Sequence, residues 1–233
     1  MTTGRDGGPS AGPEGPGAGA PTSGALTATA WAGVAGPVLF TVTFLTLEVL
    51  RRDDYSPLAE PVSALEAGSY GWVQQLSFVV LGVLTVLFAV GLHRGVGPTR
   101  AGQLGPVLLG LSGLGNILAA VFPLREDAAG VTYDPGGHAV AGVLFFLTSA
   151  LGLLVLSWRL RRDDRWRGLA GYSAVAGALG LLGFVLMGVL VVPDDAPLHD
   201  WAGRGQRLLV LAVLFPCRIA LALRLLTVAK AQR

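Results

Sequence analysis

The chain has 233 residues, of which 52% are hydrophobic and only 14% charged, and its formal net charge is +2. A soluble domain is typically about a quarter charged, so the composition argues against one, and so small a net charge gives no reason to expect nucleic-acid binding. Cys217 is the single cysteine in the sequence, which excludes an intrachain disulfide and a zinc site built on cysteines.

The two ends of the sequence differ from its middle. Residues 1–27 are rich in glycine, proline and alanine and show no apolar periodicity. Such a segment cannot bury enough surface to offset its ordering entropy, so we predict a disordered tail. It lacks a basic segment followed by an apolar run, which is the pattern of a cleavable signal peptide. Residues 229–233 are predicted to form a short basic tail.

Six apolar runs of about 19–25 residues lie between these ends. A helix of that length crosses a hydrocarbon layer of about 30 Å. Strands are not expected, because the runs do not alternate with period two and an open sheet would leave unpaired edges in lipid. We therefore predict an all-α, polytopic membrane domain over residues 28–228. Its six transmembrane helices are placed at 28–50, 74–92, 103–122, 138–160, 168–192 and 204–227.

The basic residues predict how the helices are oriented. If both termini lie on one side, that side carries eleven arginines and lysines and the other carries five, leaving out Arg218 inside the last span. We therefore predict that both termini are cytoplasmic and that a short interfacial helix lies in the first outer loop. Sixteen arginines against one lysine, Lys230, suggest a GC-rich bacterial genome, and hence a bacterial plasma membrane.

Polar and ionisable side chains collect near the predicted outer ends of the spans, whereas the cytoplasmic side has arginines without a comparable mixture of acids and bases. Ionisable groups at membrane depth usually face protein or water and often mark function. We therefore predict an outward-facing polar pocket in which His138 and Arg207 lie near each other or near a shared carboxylate. The candidate ligand-binding residues are Glu48, Ser63, Glu66, Asp134, His138 and Arg207.

Several of these residues also have a purely structural interpretation. Ser63 and Glu66 have the S-x-x-E spacing of a capping box, in which each side chain satisfies an amide at the start of a helix. Asp134 followed by Pro135 is typical of a helix start, so capping and function are weighed equally for Asp134. A single interfacial histidine such as His138 is usually just hydrogen-bonded.

The same cluster raises two further hypotheses, metal binding and hydrolysis. His138 and His199 could meet Asp134 or Asp200, but no histidine pair has metal-ligand spacing, and we predict no metal and no cofactor. Ser63, His138 and Asp134 supply the residue types of a serine hydrolase without a G-x-S-x-G context. No catalytic residue is assigned, and the balance is against an enzyme.

Two charged groups in the spans remain. Glu48 and Arg207 form a predicted pair of opposite charges at the outer ends of the first and last spans, which is either a structural pin or an anion site on Arg207. Arg218 follows Pro216 deeper in the last span, and we expect its side chain to reach the cytoplasmic headgroups.

Short motifs along the chain carry a family resemblance. They are Tyr55-Ser-Pro, Val62-Ser63-Ala-Leu, Gly71-Trp72, Phe122-Pro123, His138 and Gln206-Arg207. With these motifs, residues 28–228 resemble the bacterial six-helix membrane family catalogued as domain of unknown function 998. The resemblance implies a multi-pass protein without an established activity, in which the recurring polar positions correspond here to Ser63, His138 and Arg207.

These observations together predict a membrane protein that binds a small molecule or lipid headgroup, in a binding or transport-accessory role. An intramembrane hydrolase that uses the same cluster is one alternative, and a structural subunit of a membrane complex is another. The predicted partners are the lipid bilayer and a small-molecule or lipid ligand, with no nucleic acid. Homo-oligomerisation and association with a partner membrane subunit are both left open.

Overall fold

The computed structural model describes residues 23–97, 103–191 and 195–232. Six of its helical segments are long and apolar enough to cross a membrane, which confirms the predicted all-α, six-span architecture. The helices are α1 (Ser23–Leu50), α2 (Gly71–Gly95), α3 (Leu104–Val121), α4 (His138–Leu160), α5 (Arg167–Leu190), α6 (Ala202–Leu208) and α7 (Phe215–Lys230), with the π-helical segment Leu209–Leu214 joining α6 to α7 into the sixth span.

The boundaries predicted for the two tails differ from the helix ends in the structure. The helix α1 starts at Ser23, so residues 23–27 are helical rather than part of a disordered tail, and residues 1–22 lie outside the described part of the chain. At the other end α7 continues through Lys230. Both helices extend further than their apolar runs because the backbone hydrogen-bond ladder continues into polar sequence.

The spans form a ring in chain order. Each helix from α1 to α5 packs on the next, and α7 returns to pack on α1. Contacts between α5 and the sixth span are much sparser than between the other neighbours. The ring is therefore most weakly closed between α5 and the sixth span.

Glycines set the closest approach between helices. A Cβ atom on Gly82 would lie 2.5 Å from the carbonyl oxygen of Gly113, and one on Gly113 would lie 2.6 Å from that of Gly82. Gly115 approaches α4 equally closely, since its Cβ would lie 2.7 Å from the Phe145 nitrogen. Lipid gives helices no hydrophobic reason to associate, so such backbone contacts fix how α2, α3 and α4 are rotated about their axes.

One end of the ring, the short-loop end, is held together by buried polar contacts. Arg159 on α4 donates to the carbonyl oxygens of His93, Val96 and Gly97, where α2 ends. Asp163 accepts a hydrogen bond of 2.8 Å from the Gly97 amide. A guanidinium at a helix C-terminus satisfies carbonyls that have no partner within the helix.

The opposite end, the long-loop end, carries residues 51–70 and a small hairpin. The first of these loops contains a 3₁₀ helix, Val62–Glu66, whose location at a membrane surface stays a prediction. The hairpin pairs the strands β1 (Arg125–Glu126) and β2 (Thr132–Tyr133) antiparallel. Both loops cover the end of the ring and form the walls of the site.

Candidate functional site

A cavity of about 830 Å³ opens at the long-loop end and extends between all six spans. Its inner part is aromatic, because seven of the nine phenylalanines in the chain line it. They lie about two to four helical turns in from the long-loop ends of their helices. These residues are Phe40, Phe44, Phe78, Phe145, Phe146, Phe184 and Phe215.

The outer part of the cavity is polar. Its polar and charged side chains come from the loops and from the last turns of the helices at that end. The cavity reaches the exposed residues Val131 and Asp200 at the long-loop end, and also the exposed Val143 and Gly188 on the sides of α4 and α5. Its exposed lining residues therefore lie at the long-loop end and in the adjoining turns of α4 and α5. The polar lining residues are Glu60, Ser63, Asn116, Thr132, Tyr133, Asp134, His138, His199, Asp200, Gln206 and Arg207.

Arg207 lies on one wall of the cavity and forms the predicted ion pair with Glu48. Its Nη2 and Nε lie 2.6 and 2.8 Å from the same oxygen, Oε1, of Glu48. The guanidinium also donates to the Tyr55 hydroxyl and to the Glu60 carbonyl oxygen. Burial raises the pKa of Tyr55 to about 12, although the nearby Arg207 opposes this. Arg207 thus ties α1, the first long loop and α6 together.

The second contact between ionisable side chains lies on another wall, between Glu66 and His138. Nδ1 of His138 lies 3.0 Å from the Phe122 carbonyl oxygen and 3.2 Å from Oε2 of Glu66. A carbonyl can only accept, so Nδ1 carries a hydrogen here and Nε2 can accept a hydrogen bond when the ring is neutral.

Glu66 lies behind His138 and is fully buried. Its side chain has 0% exposure, and its Oε1 has no hydrogen-bond partner among the described residues. Burial raises the pKa of Glu66 to about 8, while a hydrogen bond from the Leu124 amide lowers it slightly. The carboxyl is therefore mostly protonated at neutral pH.

The capping-box prediction for Ser63 and Glu66 is wrong. Both residues lie inside the 3₁₀ helix Val62–Glu66, whose N-cap is Pro61 without a side-chain bond. Glu66 turns instead toward His138, because five residues of 3₁₀ helix place it beside the start of α4. The Ser63 hydroxyl lines the cavity and makes no hydrogen bond within the described ranges.

Asp134 accepts hydrogen bonds from the first amides of α4, but it is not the predicted N-cap residue, which is Gly137. Its oxygens accept the amides of Gly136, His138 and Ala139 at 2.8–3.3 Å. Burial alone would raise its pKa, but these three hydrogen bonds lower it below the usual value. Pro135 precedes the helix, which begins at His138, so the predicted proline at the first helical position is wrong.

The candidates are thus brought to one cavity but not to one cluster. Ser63, Asp134, His138 and Arg207 line it, whereas Glu48 and Glu66 do not. His138 and Arg207 were predicted to lie near each other or near a shared carboxylate, and the shared carboxylate is wrong: Arg207 pairs with Glu48, and His138 contacts Glu66. These side chains come from separate loops and helix ends. The ends pack so that two separate pairs form instead of one cluster.

The third feature of the cavity is its two histidines, His138 and His199. No group of three potential ligands comes together in residues 23–97, 103–191 and 195–232. Each histidine instead contacts the end of the preceding helix: His138 contacts the Phe122 carbonyl oxygen, and His199 contacts that of Val191 at 3.1 Å. This matched pair of contacts agrees with a structural role for both rings.

Several residues of the site are not among those predicted from the sequence. Tyr55 and Gln206 belong to motifs that carry the family resemblance, yet they were not candidates. Tyr55 contacts Arg207, and Gln206 accepts a hydrogen bond of 2.6 Å from the Val62 amide. The aromatic lining was missed because phenylalanine in a membrane helix gives no sign of which way it faces.

A model of the family described as "Protein of unknown function (DUF998)" matches residues 34–223, from the first span into the last. No curated protein matches the chain. No solved structure matches it either.

Proposed function

The chain belongs to the DUF998 family of proteins of unknown function, and from that premise we propose that it binds a small molecule or lipid headgroup in its cavity. The role is that of a binding or transport-accessory protein. One observation carries the proposal: a cavity among membrane-spanning helices combines a phenylalanine-lined inner part with a polar outer part. Ligand pockets are typically apolar with a few polar groups and have volumes of roughly 300–1,000 Å³.

The lining supports an amphiphilic ligand. An alkyl or aromatic portion would bury apolar surface against the phenylalanines, which favours binding by about 25 cal/mol per Å². A polar headgroup would lie near Ser63 and Asn116. Because the cavity also reaches the exposed Val143 and Gly188 on α4 and α5, such a molecule could enter from the lipid phase.

A hydrolase that uses the same cavity is the second candidate. The contact of Glu66 with Nδ1 of His138 resembles the way a carboxylate orients a catalytic histidine, and the Ser63 hydroxyl lines the same cavity. Ser63 makes no hydrogen bond to His138 within the described chain, and Glu66 is mostly protonated at neutral pH. Binding without hydrolysis is therefore favoured.

Filling the cavity tests the binding proposal. We expect a photoreactive monoacylglycerol with a diazirine in its chain to label cavity-lining residues of the purified protein. Gly188→Phe should reduce this labelling several-fold, because Gly188 lines the cavity and a Cβ there meets no atom within 4 Å. Gly171→Phe is the matched control, since Gly171 lies on the same helix with equal space but outside the cavity.

Mass spectrometry reads out both the labelled peptides and the fate of the probe. Labelling that is equal in wild type, Gly188→Phe and Gly171→Phe would contradict binding in the cavity. Recovery of free fatty acid from the unirradiated sample would favour the hydrolase. No labelling at all would leave the structural subunit as the better interpretation.

The proposal includes the orientation, with both termini in the cytoplasm and the cavity opening outward. The distribution of eleven basic residues against five supports it. Alkaline phosphatase fused after Arg233 is expected to be inactive in a bacterial host, and a fusion inserted after Gly130 is expected to be active. The reverse pattern of activities would overturn this orientation.

A further inference from the structure

Arg218 is buried deep in the ring. The prediction that its side chain extends to the cytoplasmic headgroups is therefore wrong. Its exposed fraction is 3%, and it lies about 18 Å or more along the helix from either end of the sixth span. The helix α7 packs on α1 and touches α2 only sparsely, and the Arg218 side chain reaches Thr85 on α2.

The guanidinium has few partners there. Its Nη1 donates a hydrogen bond of 2.8 Å to the Thr85 hydroxyl, which itself donates to the Leu81 carbonyl oxygen. Its carbon Cζ lies 5.8 Å from the centre of the Phe215 ring. No carboxylate of the described residues lies within 4 Å of the Arg218 guanidinium. No described residue accepts a hydrogen bond from its Nε or Nη2.

This arrangement leaves a positive charge uncompensated. An arginine stays protonated in proteins, and a hydroxyl plus an aromatic face replaces only part of its hydration. An unpaired charge at that depth costs several kcal/mol, and charged residues at membrane depth pair with an opposite charge or mark a binding site.

We propose that Arg218 binds a small anionic group inside the ring, either a free monovalent anion or the carboxylate of an amphiphile. The unused donors Nε and Nη2 are adjacent on the guanidinium and suit two acceptor oxygens. This site goes beyond the proposed function, because the cavity could hold a neutral ligand while Arg218 holds an anion.

The Phe215 ring relates the two sites. It lines the cavity and also contacts the guanidinium of Arg218, so it forms a wall common to both. Among the described lining residues, Arg207 is the one arginine or lysine, and its guanidinium is occupied by Glu48, Tyr55 and the Glu60 carbonyl oxygen. An anionic headgroup that passes Phe215 would find Arg218 instead.

Anion exchange at constant ionic strength tests this site. Purified protein in a nonionic detergent is transferred from gluconate into chloride, nitrate or acetate, and separately titrated with dodecanoate below its micellar concentration. The melting temperature is followed by tryptophan fluorescence. We expect a saturable rise of a few degrees with at least one of these anions and loss of that response in Arg218→Met. Arg94→Met, at an exposed position, should keep it.

The outcomes separate the sources of the anion. A response to chloride, nitrate or acetate identifies a free anion, and a response to dodecanoate alone identifies an amphiphile. The proposal is overturned if none of the four shifts the wild-type melting temperature, or if Arg218→Met responds as wild type does. Should Arg218→Met not fold, the wild-type titrations remain decisive. Thr85→Val, which removes the hydroxyl but leaves the charge, should then retain the response.

Discussion

Replacing Glu48 by glutamine is expected to lower the free energy of unfolding by roughly 3–5 kcal/mol, because it leaves the Arg207 guanidinium without its counter-charge. The two side chains are only 12% and 13% exposed, so water cannot screen the remaining charge. Arg207 also donates hydrogen bonds to the Tyr55 hydroxyl and the Glu60 carbonyl oxygen. Loss of the pair should therefore loosen the first long loop as well.

Two further variants isolate the charge effect. The double variant Glu48→Gln, Arg207→Met should recover part of the lost stability, since it removes both charges. Asp53→Asn disrupts the exposed pair of Arg52 and Asp53 and should cause no measurable change. Denaturant unfolding in detergent, followed by tryptophan fluorescence, measures all three. A Glu48→Gln protein as stable as Asp53→Asn would show that the buried pair contributes little.

Stability is also expected to fall as the pH rises from about 5 to 8, by up to about 4 kcal/mol from Glu66 alone. Its pKa is about 8 in the folded protein because of burial, against a model value of 4.5. The folded state therefore binds a proton that the unfolded state has already released in this range. The contribution is complete below pH 4.5 and lost above pH 8.

Glu66→Gln should remove most of this pH dependence, because a glutamine carries no proton to release. At pH 9 the variant should be more stable than wild type, and near pH 5 the two should be similar. Glu126→Gln, in the exposed hairpin, should follow the wild-type curve. Parallel curves for wild type and Glu66→Gln between pH 5 and 9 would mean that Glu66 is ionised throughout. Thermal unfolding across this pH series provides the measurement.

Local sequence determined much of the polar chemistry, and tertiary packing changed some of it. The pairing of Glu48 with Arg207 was predictable because two opposite charges at equal depth in neighbouring spans have no better partners. The capping roles differed: Asp134 accepts the first two amides of α4 although Gly137 is the N-cap residue, whereas Glu66 caps no helix. A local motif indicates which hydrogen bonds a side chain can form with nearby residues. The tertiary structure decides whether a distant partner such as His138 takes the place of those local partners.

The sequence by itself determined the six spans, since a run of about 20 apolar residues in lipid must satisfy its own backbone and therefore forms a helix. It did not determine which way each helix faces. A membrane helix is apolar around most of its circumference, so the pattern lacks the polar face that orients a helix in water. Backbone contacts such as that of Gly82 with Gly113 fix those rotations. In the packed ring, seven phenylalanines line one cavity and Arg218 is buried against Thr85.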